Sequence, residues 1–295
     1  MNRRLARRPG RFRRSAFPAV FLTAAFLFNT APGRLGAQEA AGSGALDRLD
    51  RAFLKSFFDD LGKVVTAPGR WTGKDFAVFG GVAAAGGFSF LLDEDIRETV
   101  QDSRSSSSDD LSGFFSNFGD GLVLSAGLLG FYAAGERAGD PTWRRTALLG
   151  LKSLGATALL VMGSKFVIGR ARPRANEGRS VFRPFSFKST YYALPSGHAA
   201  SAWAVAATIA DQSGNRTVDA VAYGLAALAS LSRVHDDKHW TSDVVLGSAL
   251  GYFTAKKVCA LNRPKPPVSP SLLETAQLSF DLAGPRTSLT LSWNW

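Results

Sequence analysis

Cysteine occurs once in 295 residues, at position 259, so the chain can hold no intramolecular disulfide and no cysteine-built metal cage. Cys259 reads as a small core residue near a helix end. Histidine occurs only three times, at positions 198, 235 and 239, which confines any imidazole chemistry to very few side chains. Acidic residues are missing from residues 1 to 37, a leader that carries eight arginines; beyond it, 27 basic residues face 24 acidic ones. The formal charge of +11 therefore belongs mostly to the leader, and the rest of the chain lacks the basic excess of a nucleic-acid binder. Long uncharged runs are also scarce. Those between Lys152 and Lys165, Asp219 and Arg233, and Asp243 and Lys256 hold 12, 13 and 12 residues, whereas crossing a membrane takes roughly 20. Such lengths suit buried core helices, although long cations can snorkel from a membrane surface and keep the spanning alternative open.

Hydrophobic residues make up 45% of the chain and charged residues 20%, the balance of a folded protein. A basic segment from Arg3 to Arg14, an apolar run from Ala16 to Phe28 and small residues around Gly36 and Ala37 give residues 1–37 the form of an export signal, with an uncleaved anchor as the alternative. Leu46, Leu49, Phe53, Phe57 and Leu61 recur at spacings of three and four, so residues 38–75 are expected to hold an amphipathic helix that docks on a core or lies on lipid. Residues 76–92 are an uncharged, glycine- and alanine-rich run, and the acidic, serine-rich stretch 93–117 has the composition of an exposed linker. Further Ala/Leu/Gly-rich segments at about 120–135, 143–168, 197–211, 217–232 and 240–257 read as helices. Pro264, Pro266, Pro267 and Pro270 make a stiff linker. Alternation through Leu278, Phe280 and Leu282, and again through Leu289, Leu291, Trp293 and Trp295, predicts a terminal hairpin. The expected fold is all-α: a bundle of about six core helices over 76–260, an N-terminal amphipathic helix, and a linker with a C-terminal β-hairpin over 261–295.

Three places in the helical region share one chemical theme. From Lys165 to Pro173 a helix ends and the cations Lys165, Arg170 and Arg172 collect. Pro195-Ser196-Gly197-His198 is a turn leading into an apolar helix, whose first-turn N–H groups are free to hold an anion. In Ser232 to Asp243, Asp243 lies one helical turn after His239, where its carboxylate can hold one imidazole tautomer, and the planar fork of Arg233 suits a phosphate-sized oxyanion.

These stretches resemble the Lys-x6-Arg-Pro, Pro-Ser-Gly-His and Ser-Arg-x5-His-x3-Asp motifs of the type 2 phosphatidic acid phosphatase superfamily, in order and without substitution. The resemblance spans about 80 residues and implies an all-helical bundle. It implies that His239 attacks the phosphorus of a phosphate monoester, that Asp243 orients His239, and that His198 protonates the leaving alcohol and then activates water. Lys165, Arg172, Ser196, Gly197 and Arg233 would surround the phosphoryl oxygens. No metal and no cofactor is implied. Arg170, Arg174, His235 and Lys238 match no motif position and are expected outside that ring.

The implied substrate is phosphorylated, a lipid phosphate or pyrophosphate by preference. Phe182, Phe185, Phe187, Tyr191 and Tyr192 would either line its apolar entrance or belong to the core. Membrane association and no nucleic-acid partner are expected, in an exported bacterial envelope protein whose site faces the periplasm, either soluble and lipid-associated or integral to the inner membrane. The alternatives are a vanadium-dependent haloperoxidase, which would use the same pocket, and a non-catalytic anion-binding envelope protein.

Overall fold

The computed structural model describes residues 48–263, 276–281 and 288–293. The leader read over residues 1–37 and the four linker prolines lie outside these. The chain divides into two compact units at Asn262. The second, described by itself, pairs β1 (Ala276–Asp281) antiparallel with β2 (Ser288–Trp293), Ala276 opposite Trp293.

In the first unit the described residues form α1 (Arg51–Val65), α2 (Gly73–Leu91), α3 (Asp93–Asp102), α4 (Ser106–Ser116), α5 (Gly121–Ala138), α6 (Pro141–Ile168), α7 (Gly197–Ser213), α8 (Arg216–His235) and α9 (Thr241–Leu261). Side-chain caps set most of the starts. Asp50 accepts from Phe53 N at 2.9 Å, Asp120 from Leu122 N at 2.9 Å, Asp140 from Thr142 N at 2.8 Å and Asn215 from Thr217 N at 2.8 Å, each satisfying an N–H that has no partner within its own helix. Pro141 at the first position of α6 needs no such partner.

Small residues bring the central helices close. α7 buries six alanines between Ala199 and Ala207, and α9 lies against it through Gly247 and Gly251. A Cβ at Gly247 would sit 2.5 Å from the Ser196 carbonyl oxygen, and one at Gly251 would collide with the Ala200 carbonyl. Hydrogen bonds between layers then fix register: Thr208 Oγ1 donates to Ser153 Oγ at 3.0 Å and Trp203 Nε1 to Ser230 Oγ at 3.1 Å. α1 docks through Phe53, which clusters with Leu148, Leu149 and Val258, and through Asp60, which accepts from the buried Lys152 Nζ at 2.8 Å. Its other face leaves Leu54, Phe58 and Val65 exposed.

Two expectations change. Residues 93–117 are not an exposed linker: they fold into α3 and α4. Asp93 and Ser112 are buried and bond Arg170, Ser242 and the Ser232 carbonyl, while Ile96, Val100, Phe114, Phe115 and Phe118 pack on the bundle, so a mostly polar surface concealed a few inward residues. Helix lengths also exceed the uncharged runs, because Lys152 and Lys165 sit inside α6 and are buried. α6 and α9 are long and apolar enough to cross a membrane, and the pairs α2 with α3 and α4 with α5 meet the same test if each pair, bent by 57°, is one span.

The chain order places Lys165 at the end of α6, Ser196 to His198 at the start of α7, Arg233 at the end of α8 and His239 to Asp243 at the start of α9. All three motifs therefore meet at one end of the bundle.

Candidate active site

α6 stops where Gly169 turns left-handed at φ 62° and lies against the Arg183 carbonyl, a position that excludes any side chain. The chain then runs extended between two neighbouring segments. Ala171 N donates to Val181 O at 2.9 Å, Arg172 N to Thr190 O at 2.9 Å, and Ala193 N to Arg170 O at 3.1 Å. Residues 181–193 thus clamp the first motif. Lys165 is buried and donates to Tyr192 O at 2.5 Å, and Arg172 Nε donates to Ser189 O at 3.1 Å.

Ser196 occupies the N-cap position of α7, yet its side chain makes no capping bond. Its hydroxyl is fully buried and has no hydrogen-bond partner among the described residues. Its backbone is held instead, Ser196 N donating to Asp243 O at 2.9 Å, which ties the second motif to the third. A Cβ on Gly197 would lie 3.9 Å from Lys165 Cε, so the first motif's lysine lies beside the same turn. His198 follows at the mouth, its Nε2 4.0 Å from Asp120 Oδ2.

The third motif wraps its own loop. His239 N and Lys238 N both donate to Arg233 O, at 3.2 and 3.1 Å, and Asp237 adopts φ 57° to close the turn. Arg233 is 2% exposed; one end of its guanidinium pairs with Asp236, while Nε has no partner. The site therefore keeps two buried polar groups, Ser196 Oγ and Arg233 Nε, that the protein itself leaves unsatisfied. Orphans of this kind are costly, and an anion is the ligand that both would serve.

His239 is 4% exposed, and its Nδ1 lies 2.7 Å from the Ala193 carbonyl oxygen. A carbonyl only accepts, so Nδ1 carries the proton and Nε2 keeps its lone pair. The tautomer was expected to be set by Asp243; that carboxylate stands 3.7 Å from Nδ1, outside hydrogen-bond range. It is committed elsewhere, accepting from Trp240 N at 2.9 Å and from Arg170 Nη1 at 2.6 Å.

Burial, then Lys165, Arg172 and Arg233, hold the His239 imidazolium well below its ordinary range. His198 is pushed down to about 4, first by burial and then by Arg233, with Asp120 opposing. Both shifts favour the neutral imidazole, and a phosphate dianion would offset the cations that contribute to them.

Of the other cations in these stretches, Arg170 is fully buried against Asp243, whereas His235 pairs with Asp109 at 3.0 Å and Lys238 with Asp236 at 3.1 Å. Phe182, Phe185 and Phe187 are exposed, the last two against Phe166; Tyr191 is buried, its hydroxyl 3.2 Å from Glu177. Sequence reasoning missed Asp93, Asp120 and the Ala193 carbonyl. Asp93, the first acid after a long uncharged run, carried the one usable signal; a backbone carbonyl carries none.

Residues 146–265 match the family model described as PAP2 superfamily. The chain is similar to a lipid A 1-phosphatase of Porphyromonas gingivalis, 26% identical over 132 residues, a match covering 44% of this chain and 26% of that protein. The chain thus spans about a quarter of the length of this curated relative. Two crystal structures are also similar: Aquifex aeolicus LpxE, 17% identical, TM-score 0.47, covering 57% of this chain and 95% of that one; and a transmembrane PAP2 type phosphatidylglycerolphosphate phosphatase from Bacillus subtilis, 19% identical, TM-score 0.43, covering 72% and 94%. All three motifs fall inside the matched residues, so residues 146–265 are where the chain is similar to the PAP2 superfamily.

Proposed function

We propose that the protein is a phosphatase that hydrolyses phosphate monoesters of lipids through a phosphohistidine intermediate. The observation that carries this reading is the pair of unsatisfied buried groups, Ser196 Oγ and Arg233 Nε, in the motifs whose cations Lys165, Arg172 and Arg233 act on a histidine with its Nδ1 proton fixed and its Nε2 lone pair left for attack. In the first step that lone pair attacks phosphorus and the P–O ester bond breaks. The leaving oxygen takes a proton from His198, protonated once the phosphate dianion is bound. The proton stays on His239 Nδ1, which donates to the Ala193 carbonyl, and the positive charge gained by the ring faces Asp243. In the second step His198 takes a proton from water, the water oxygen bonds to phosphorus, and the P–N bond returns its electron pair to Nε2. Lys165, Arg172, Arg233, Ser196 and the Gly197 amide would hold the equatorial oxygens, where the transition-state charge spreads.

Lipid is favoured as the substrate class by the exposed Phe182, Phe185 and Phe187 in the segment after the first motif, and by the named activity of the curated relative. Membrane association fits the apolar lengths of α6 and α9 and the exposed Phe76, Phe79, Phe88 and Leu91 of α2. In the same reading residues 1–37 direct export, the site faces the periplasm, and the amphipathic helix and terminal hairpin are accessories to a domain over 76–260. The test is phosphate release by purified protein from dispersed phosphatidate, prenyl pyrophosphate and lipid A beside soluble sugar and nitrophenyl phosphates. Release from a lipid ester, lost in His239→Ala, is expected. Release from soluble esters alone overturns the lipid assignment, and undiminished release by His239→Ala overturns the mechanism.

A further inference from the structure

Asp93, the first residue of α3, lies 53 positions before the family-matched segment begins at residue 146, yet it reaches the start of α9. Its Oδ1 accepts from Ser242 N at 2.9 Å, and its Oδ2 accepts from Ser242 Oγ at 2.5 Å and from Arg170 Nη2 at 2.8 Å. Trp240, at the N-cap of α9, has no side-chain oxygen to cap that helix, and Asp93 does so from another element. Arg170 completes the bridge: Nη1 donates to Asp243 Oδ1 at 2.6 Å and to Ser242 Oγ at 2.7 Å, while Nε donates to Arg179 O at 3.0 Å. Its guanidinium carbon lies 4.7 Å from the Phe90 ring centroid and 5.5 Å from that of Trp240. Asp93, Arg170 and Asp243 are each at most 1% exposed.

We propose that Asp93 and Arg170 are positioning residues for the nucleophile, acting through Asp243 on His239. The inference rests on the phosphohistidine reading above. Two carboxylates share one guanidinium, so with both ionised the cluster carries one net negative charge; burial pushes the Asp243 carboxyl up and Arg170 opposes that rise. Arg170 alone would neutralise Asp243. With Asp93 drawing on the same guanidinium, Asp243 retains charge toward His239 Nδ1 at 3.7 Å, where the ring becomes cationic on phosphorylation. The remaining face of α3 grips the same loop. Arg97 donates to both oxygens of Asp237 at 2.7 and 2.8 Å, and Gln101 Nε2 donates to His235 O at 3.2 Å; Asp93, Arg97 and Gln101, four apart, lie on one side of the helix.

The experiment compares the full chain with Asp93→Asn, which keeps the shape of the side chain and removes its charge. The kcat for nitrophenyl and lipid phosphates is expected to fall by about 10- to 100-fold, the usual scale for supporting residues, with KM and the vanadate inhibition constant unchanged. The same substitution in an Asp243→Asn background is expected to add little, because both act through one cluster. Unchanged kcat, a rise in KM and vanadate constant matching the loss, or full additivity with Asp243→Asn would each overturn the inference. Should Asp93→Asn fail to fold, Arg170→Lys, which keeps the charge but cannot bridge two carboxylates, must show the same loss of kcat at unchanged vanadate affinity; wild-type kcat there is equally fatal. A wild-type protein that releases phosphate from no ester, or that keeps its activity in His239→Ala, defeats the parent reading. Activity lost in His239→Ala but intact in Asp93→Asn defeats this inference alone.

Discussion

His239 Nδ1 donates a hydrogen bond to the Ala193 carbonyl oxygen at 2.7 Å, while Asp243, the acid one helical turn further on, stands 3.7 Å away. The two tasks often assigned to one carboxylate are thereby divided. A backbone carbonyl fixes the tautomer at no cost in charge, and on the proposed mechanism Asp243 is left to face the cationic ring. Asp243→Asn is accordingly expected to lower kcat while leaving vanadate binding intact, and weakened vanadate binding as large as the kcat loss would contradict that division.

Ser196→Ala tests the anion pocket. The hydroxyl is buried without a partner, so its removal breaks no bond inside the protein and the melting temperature is expected to hold or rise. Vanadate inhibition is expected to weaken by about tenfold, the scale of one hydrogen bond to a charged group. A clear drop in melting temperature with unchanged vanadate affinity would assign the hydroxyl to the fold.

His198→Ala separates acid catalysis from binding. Hydrolysis of alkyl phosphates is expected to fall by roughly 10² to 10⁴, whereas nitrophenyl phosphate, whose leaving group needs little protonation, should suffer much less. Equal losses for both esters would remove His198 from the acid role.

Proton linkage follows from the depressed histidines. His198 is pushed down to about 4, first by burial, and His239 is also lowered. Between pH 4 and the ordinary histidine value near 6.5 the unfolded chain therefore binds more protons than the folded one. Stability from these groups is present above pH 6.5 and declines as pH falls toward 4. In the folded protein, vanadate binding offsets the cations and should take up protons near pH 6, read as a buffer-dependent enthalpy in titration calorimetry. Buffer-independent heat would argue against the linkage.

Gly251 carries the closest approach of α9 to α7. Gly251→Val is expected to destabilise the fold by roughly 1–3 kcal/mol or more, measured by denaturant midpoint. An unchanged midpoint would mean that the two helices can separate without penalty.

The motifs and most of the helical fold were legible in the sequence because both depend on local signals: apolar periodicity, caps, and fixed spacing along a helix or turn. The α3 and α4 helices were not, since Asp93, Arg97 and Ser112 read as surface residues until their partners are known. Those partners lie 77 to 149 positions away in the case of Asp93, at Arg170 and Ser242. Asp243 illustrates the same limit at short range. Its spacing from His239 predicted proximity correctly, but the hydrogen bond went to Ala193, a backbone atom that no side-chain pattern encodes.

The central claim is a covalent bond between phosphorus and His239 Nε2. Rapid alkaline quenching of the protein with radiolabelled phosphate ester, followed by peptide mapping, tests it directly. The account predicts acid-labile, alkali-stable label on His239, absent in His239→Ala and longer-lived in His198→Ala with a nitrophenyl ester. Turnover with no labelled protein at any quench time, together with inversion at phosphorus, would contradict it.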